Sequence, residues 1–296
     1  MLQLQLASSS SQQQLGYWNS VLPNSPIPVA IRGLLQPQRT TIGGQNSSIG
    51  IKTNLVDYCN CGFASSPNEL QDLNPSSADL FFLAKDMQPG ANKVLHLTKT
   101  TTGSPFLPRE VASSIPFSLA RLYDILTHFA IKPDSKDANG VKSILDKCEQ
   151  PAGKGETKYC ATSLESMVEF VMSSFGTRNV RAFSTTVEGN GSAAPKQNYT
   201  VESPGMHRVD HMSQLMACHG LSYMYAVFYC HATATTEAYR VAMVGDDGTK
   251  VVAYAICHTD TSGWNPKHIG FRVLNVKSGS PVCHFMPQDH VVWITD

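Results

Sequence analysis

Charge is scarce in this sequence. Only 16% of the residues are Asp, Glu, Lys or Arg, against about a quarter in an average soluble domain. Lys and Arg number 23, and so do Asp and Glu. This balance excludes the basic face that nucleic acid or an anionic membrane selects, so neither is expected as a partner. No apolar run approaches 18 residues, which excludes a transmembrane helix. The start, Met1-Leu2-Gln3-Leu4-Gln5-Leu6, lacks the basic region and the apolar core of a signal peptide. If the protein is secreted, its signal has been removed ahead of Met1. No Cys-x-x-Cys occurs, which removes the commonest signature of zinc knuckles and redox pairs.

What is present begins with bulk. The chain has 296 residues, 42% of them hydrophobic, enough to bury a sizeable core in one large domain or two. Eight cysteines is an even count. In a reducing compartment so many thiols would need a metal or a catalytic cycle to explain them. Sequons at Asn46, Asn190 and Asn198 and the charge-poor composition accord with a secretory route.

The cysteines are not scattered. Four are each followed directly by a histidine: Cys218-His219, Cys230-His231, Cys257-His258 and Cys283-His284. The gaps between these dipeptides are 10, 25 and 24 residues, and Trp293 follows the last after eight more. Shuffling this composition would give about 0.3 such dipeptides. Their unequal spacing argues against a solenoid, and no other internal repeat is present.

In chain order, residues 1–14 are a Ser- and Gln-rich stretch expected to be disordered or extended. Residues 1–50 read as a flexible arm. Within it Gln14-Leu15-Gly16-Tyr17-Trp18 is an aromatic island, prolines crowd 22–28, and Ile31 to Leu35 suits one amphipathic turn. Order resumes near Leu80 and continues with a strand over 93–98. Helices are expected over about 119–131, 141–148 and 164–175, the last capped by Thr162 with Glu165 and ended by Gly176. Cys148 and Cys160 flank the second connection and can close it as a disulfide. After Gly191 the period becomes two, predicting strands over 223–230, 239–244, 251–257, 271–276 and 291–294, with a hairpin turn at 245–248. The expected fold class is α+β: a helical middle packed on a largely antiparallel C-terminal part.

Successive strand residues face opposite sides of a sheet. Val251, Ala253, Ala255 and Cys257 would share one face, and Val252, Tyr254, Ile256 and His258 the other. Tyr225, Val227, Tyr229 and His231 likewise oppose Ala226, Phe228 and Cys230. Each Cys-His dipeptide therefore sends its sulfur one way and its imidazole the other. Imidazoles converging on one surface suit zinc, copper, iron or nickel. Free thiolates would favour zinc or cuprous copper. Oxidised cysteines would leave a nitrogen- and oxygen-rich site that favours Cu(II) and admits two metal sites. His207, His211, His268 and His290 lie in the same third of the chain. Cys59 and Cys61 are too close in sequence to bond each other easily and stay unassigned, and Asp260, Trp264 and Pro266 read as turn residues.

The pattern CH-x10-CH-x25-CH-x24-CH-x8-W resembles the signature of the plant BURP domain. Phe81-Phe82 with Asp86 and Pro89-Gly90, Phe106-Leu107-Pro108-Arg109, and the Cys148/Cys160 pair agree with it across 79–296. Tyr17-Trp18 with the prolines after it resembles the usual upstream segment. Some members of that family are copper-dependent autocatalytic peptide cyclases. The resemblance implies disulfides at Cys218, Cys230, Cys257 and Cys283. It implies two copper ions held by His219, His231, His258 and His284, with His268 and His290 as further candidates on proximity. Dioxygen would be the oxidant. The substrate would be the chain's own N-terminal core peptide, Gln14 to Trp18, crosslinked from Trp18 or Tyr17 to an aliphatic carbon such as that of Leu15. Proteases would later release the macrocycle. The alternative that the resemblance carries is a non-catalytic extracellular, seed or cell-wall protein that binds copper. Either would use the secretory pathway and end outside the cell or in a vacuole.

Overall fold

The computed structural model describes residues 2–35, 79–101, 103–189, 196–209 and 214–296. Cys59, Cys61, Asn46, Asn190 and His211 lie outside the described residues. Two antiparallel sheets form the body. The first orders its strands β1 (Phe81–Phe82), β11 (Val282–Phe285), β10 (Lys250–His258), β9 (Thr236–Gly245), β6 (Gln197–Arg208) and β2 (Asn92–Leu95), with β5 (Thr186–Val187) also paired to β10. The second orders β3 (Glu156–Ala161), β8 (Val227–Thr233), β7 (Leu215–Leu221), β12 (Val291–Thr295) and β4 (Val180–Phe183). The expected α+β class, a helical middle on antiparallel strands stapled by disulfides, is the architecture found.

Helices α1 (Leu2–Val21) and α2 (Val29–Leu35) precede the sheets. The middle supplies α3 (Arg109–Ser114), α4 (Leu122–His128), α5 (Lys136–Glu149) and α6 (Leu164–Phe175), and α7 (Ile269–Leu274) comes late. Residues 2–14, expected to lack regular structure, are helical. Gln and Leu are good helix formers and no Pro interrupts them. The helix is seated by its end, where Trp18 is fully buried with its ring centroid 5.5 Å from that of Trp293, the planes tilted by 39°. Its indole Nε1 donates to the Ser25 carbonyl at 2.8 Å, and the Gln14 amide donates to Leu107 O at 3.1 Å. The 164–175 helix is found as expected, ended by Gly176 in the left-handed region. Its cap lies one residue later than predicted: the Ser163 side chain accepts from Ser166 N, and Ser166 reciprocates.

Two strand assignments change. Residues 271–276, expected as a strand, fall in and after α7, whose first turn is capped by His268. Arg272 and Asn275 punctuate a short apolar run there, and periodicity alone cannot separate a buried helical turn from a strand. The strand expected over 223–230 begins at Val227 and is preceded by β7, which the sequence reading missed because every residue of it is buried and none alternates.

Sidedness builds the core in layers. Leu215, Ala217, Tyr254, Ile256, Met286, Val292 and Ile294 pack between the sheets. The outer face of the second sheet lies under α1, α2 and α6, in a cluster with Trp18, Ile31, Val168, Phe228 and Trp293. Nearer β3 and β8, the inner face is covered by α4 and α5 through Ile125, Val141, Ile144 and Leu145. The first sheet wraps its other face round Phe82, Leu95, Tyr199, Met243 and Phe285.

Candidate metal centre

The four Cys-His dipeptides occupy equivalent places in the two sheets. Cys218 lies directly opposite Cys230 on β7 and β8, and Cys257 directly opposite Cys283 on β10 and β11. Both pairs are disulfides, with Cα atoms 3.9 and 4.0 Å apart. The histidine after each cysteine therefore faces the other side and sits diagonally across from its counterpart: His219 pairs with Tyr229 while Ala217 pairs with His231. In the other sheet, His258 pairs with Val282 and Ile256 with His284. Cys148–Cys160 is the third disulfide, tying the end of α5 to β3. No free cysteine remains among the described residues.

All four dipeptide histidines are buried at the end of the inter-sheet layer, from 5% exposure at His219 to 1% at His284. His290, fully buried just before β12, joins them. His219 is the centre of the group. Its Nε2 lies 3.2 Å from His231 Nε2, and its Nδ1 lies 3.1 Å from His290 Nδ1. His284 lies 6.0 Å from His219 between ring centroids, and His258 stacks on His284 at 5.7 Å. Among the described residues, no three His, Cys, Asp or Glu groups converge as a ready-made cage. What exists is two close nitrogen pairs sharing one ring, beside a stacked pair from the other sheet.

The surroundings decide which nitrogen of each ring carries its proton. His231 Nδ1 lies 3.2 Å from Glu156 Oε1 on β3. Burial pushes the Glu156 carboxyl up, but contacts from His231, Gly153 N–H and Tyr229 outweigh it and hold the group below its usual value. An ionised carboxylate only accepts, so the His231 proton belongs on Nδ1 and Nε2 is bare. His290 Nε2 lies 2.8 Å from the Thr100 hydroxyl, which itself donates to Asp289 at 3.3 Å. Asp289 also accepts from Thr100 N and Thr101 N. With the hydroxyl proton directed at Asp289, His290 donates from Nε2 and its Nδ1 is bare. His284 Nδ1 lies 3.3 Å from Phe285 O, which places its proton there and leaves Nε2 bare.

Burial, followed by repulsion from neighbouring imidazoles, holds His219 and His258 well below the ordinary histidine value. Burial first also brings His284 down to about 3 and His290 to about 4. These rings are neutral at neutral pH, the state in which imidazole nitrogen is a ligand.

His268 and Trp264 form a wall. His268 Nδ1 accepts from Gly270 N at 3.1 Å as the cap of α7, so its proton sits on Nε2, which is buried with no hydrogen-bond partner. Its ring centroid is 4.5 Å from that of Trp264, which in turn lies 4.8 Å from His258. Trp264, read from sequence as a turn residue, is buried against two of the histidines. Glu156 was also missed. Its spacing from any Cys-His dipeptide carries no signal, since only the pairing of β3 with β8 brings it to His231. His207 is exposed on β6.

Gln14 to Trp18 lie on the far side. Trp18 shares its cluster with Cys218 and Cys230, on the disulfide face of the second sheet. Strand alternation puts His219 and His231 on the opposite face.

A disulfide-stapled pair of sheets enclosing a buried cluster of imidazoles is thus the class of protein that fold and site define. The BURP domain family matches over residues 80–295, and the chain belongs to that family. It is 46% identical to BURP domain-containing protein 5 of Oryza sativa subsp. japonica, over 94% of this chain and 85% of that protein. It is 52% identical to rice BURP domain-containing protein 3, over 78% of this chain and 53% of that longer protein. It is 39% identical to the BURP domain protein RD22 of Arabidopsis thaliana, over 85% of this chain and 64% of that one.

Proposed function

We propose that the chain is a copper-binding BURP protein of the secretory route, with the imidazole cluster between its sheets as the copper centre. The proton count at His219 carries the reading. Its two nitrogens face two bare nitrogens, on His231 and His290, at 3.2 and 3.1 Å. A neutral imidazole has one N–H, so one of the two contacts has no proton. Burial opposes a second proton on His219. With His231 and His290 neutral, two lone pairs face each other in a buried site, an arrangement that a bound cation relieves. Two ligands about 2.0–2.1 Å from one metal ion stand roughly 3 Å apart, the spacing seen. The dipeptide sulfurs are tied up in disulfides, which leaves nitrogen donors and favours copper over a zinc–thiolate site. His219 and His231 would hold the ion through their Nε2 atoms while His219 Nδ1–H donates to His290, with His284 and His258 beside them. Disulfides and the charge-poor composition support a destination outside the cell or in a vacuole.

The finer reading is an oxidative cyclase acting on its own Gln14–Trp18. Copper with dioxygen would supply the oxidising power to join an aromatic ring to an sp3 carbon with loss of two hydrogens. Leu15 is 40% exposed and Tyr17 is partly exposed, which favours access to this segment. Trp18 opposes it, because it is core on the other side of the second sheet. Residues 14–18 would have to leave their seat to reach the histidines.

One experiment separates the outcomes: Cu(II) reconstitution in air, elemental analysis, and mass spectrometry of a digest. Stoichiometric copper with unmodified peptides is the expected result. A loss of about 2 Da in the peptide carrying Gln14–Trp18 establishes the cyclase. Failure to retain copper overturns the centre.

A further inference from the structure

We propose that Glu156 is the positioning residue of this centre, fixing the tautomer and the plane of His231 so that Nε2 faces inward. The inference rests on the copper reading and names the residue that prepares one ligand for it.

Glu156 lies outside the Cys-His motif, on the edge strand of the second sheet. Its side chain is 4% exposed. A carboxylate is costly to bury unless its oxygens are occupied. Here Oε1 takes the Tyr229 hydroxyl at 3.1 Å and faces His231 Nδ1 at 3.2 Å, while Oε2 takes Gly153 N at 2.8 Å. Two groups from β8 and one from the turn before β3 hold the carboxylate still. Register supplies the placement: Lys158 pairs with His231 and Glu156 with Thr233, so Glu156 is the diagonal neighbour of His231 on the same face.

The segment is braced as well. Cys160, on that same face, is bonded to Cys148 at the end of α5. Lys158 Nζ donates to Lys147 O at 2.9 Å, and the Lys147 and Lys158 ammonium groups lie 4.8 and 5.5 Å from the Tyr229 ring centroid. Tyr229 is thereby locked in the place from which its hydroxyl reaches Glu156. A carboxylate behind the remote nitrogen of a metal-bound histidine fixes its tautomer and raises its basicity. A purely structural Glu156 would need its hydrogen bonds but no imidazole.

Two variants of the full chain test this, E156Q and E156L, each checked for the Cys148–Cys160, Cys218–Cys230 and Cys257–Cys283 bridges and for native near-UV circular dichroism. In the metal-free protein, 15N spectra of labelled histidine read the His231 tautomer. The Nδ1–H form is expected in the parent and its loss or mixing in E156L. Competition titration with Cu(II) should then show a 10–100-fold weaker affinity in E156L, with E156Q between it and the parent. The copper electron paramagnetic resonance spectrum should change its nitrogen hyperfine pattern. An Nε2–H tautomer in the parent, or equal copper affinity in the parent and E156L, overturns the role of Glu156 while leaving the centre standing. A parent that takes up no copper overturns the centre and this role with it.

Discussion

At the scale of the residue, the site is decided by where single protons sit. His219, His258, His268, His284 and His290 share one consequence. Burial lowers all five, with His284 at about 3 and His268 and His290 at about 4, against 6.5 in an unfolded chain. Below 6.5 the unfolded chain takes up protons that the folded metal-free protein refuses. Stability is therefore intact above pH 6.5 and is lost as the pH falls toward 3–4. Each group contributes a slope of up to about 1.4 kcal/mol per pH unit. Urea titrations of the metal-free protein at pH 7.5 and 5.5 should show a large fall in midpoint, and equal midpoints would refute the buried neutral cluster. Gly220 makes a second point at this scale. A Cβ there would stand 2.9 Å from Thr101 Cγ2 and 3.3 Å from Asp289 O, the segment that orients His290. G220A should cost roughly 1–3 kcal/mol, as overpacking does, and weaken copper binding with it.

At the scale of the element, the two Cys-His strand pairs work alike. Cysteines directly opposite lock the register, and the diagonal histidines inherit it. The opposite-face assignment along Val251–His258 and Tyr225–His231 was legible from the sequence, because a two-residue period has one outcome once a strand is granted. Which sulfur meets which was not legible, since pairing partners are set by the sheet. The bridge between α5 and β3 holds the strand that carries Glu156. Replacing Cys148 and Cys160 together by Ser should cost about 2–4 kcal/mol in thermal or denaturant unfolding. Helix α1 was the least legible element. Its Ser- and Gln-rich turns carry no apolar stripe, and it depends on Trp18 filling a space against Trp293. W18A should cost roughly 3–5 kcal/mol. A change below 1 kcal/mol would show the indole to be dispensable packing and would favour its freedom to act as a substrate.

At the scale of the whole molecule, the histidines join what the disulfides keep apart. Each bridge of the Cys-His motif lies within one sheet, while the imidazoles of both sheets meet in the layer between them. A metal ion held there links the sheets, and any ligand that binds the folded state alone stabilises it by mass action. Copper at a hundred times its dissociation constant should add about 2.7 kcal/mol, reversed by a chelator. Thermal melts with and without Cu(II) read this directly, and no shift at saturating copper would place the ion outside the folded cluster.

By itself the sequence determined the inventory and the sidedness. It set four cysteines against four histidines on alternating positions, the α+β class, and the family to which the chain belongs; the division it placed at Gly191 is not the one found, since β1 to β5 come before that point and α7 after it. These are local properties, carried by periods of two and 3.6 residues and by a motif. Only the tertiary structure decided the partners: Cys218 with Cys230, His219 with both His231 and His290, Glu156 behind His231, and Trp18 on the face away from them all. Such contacts join residues far apart in the chain, and strand order and packing create them without leaving a trace in local pattern.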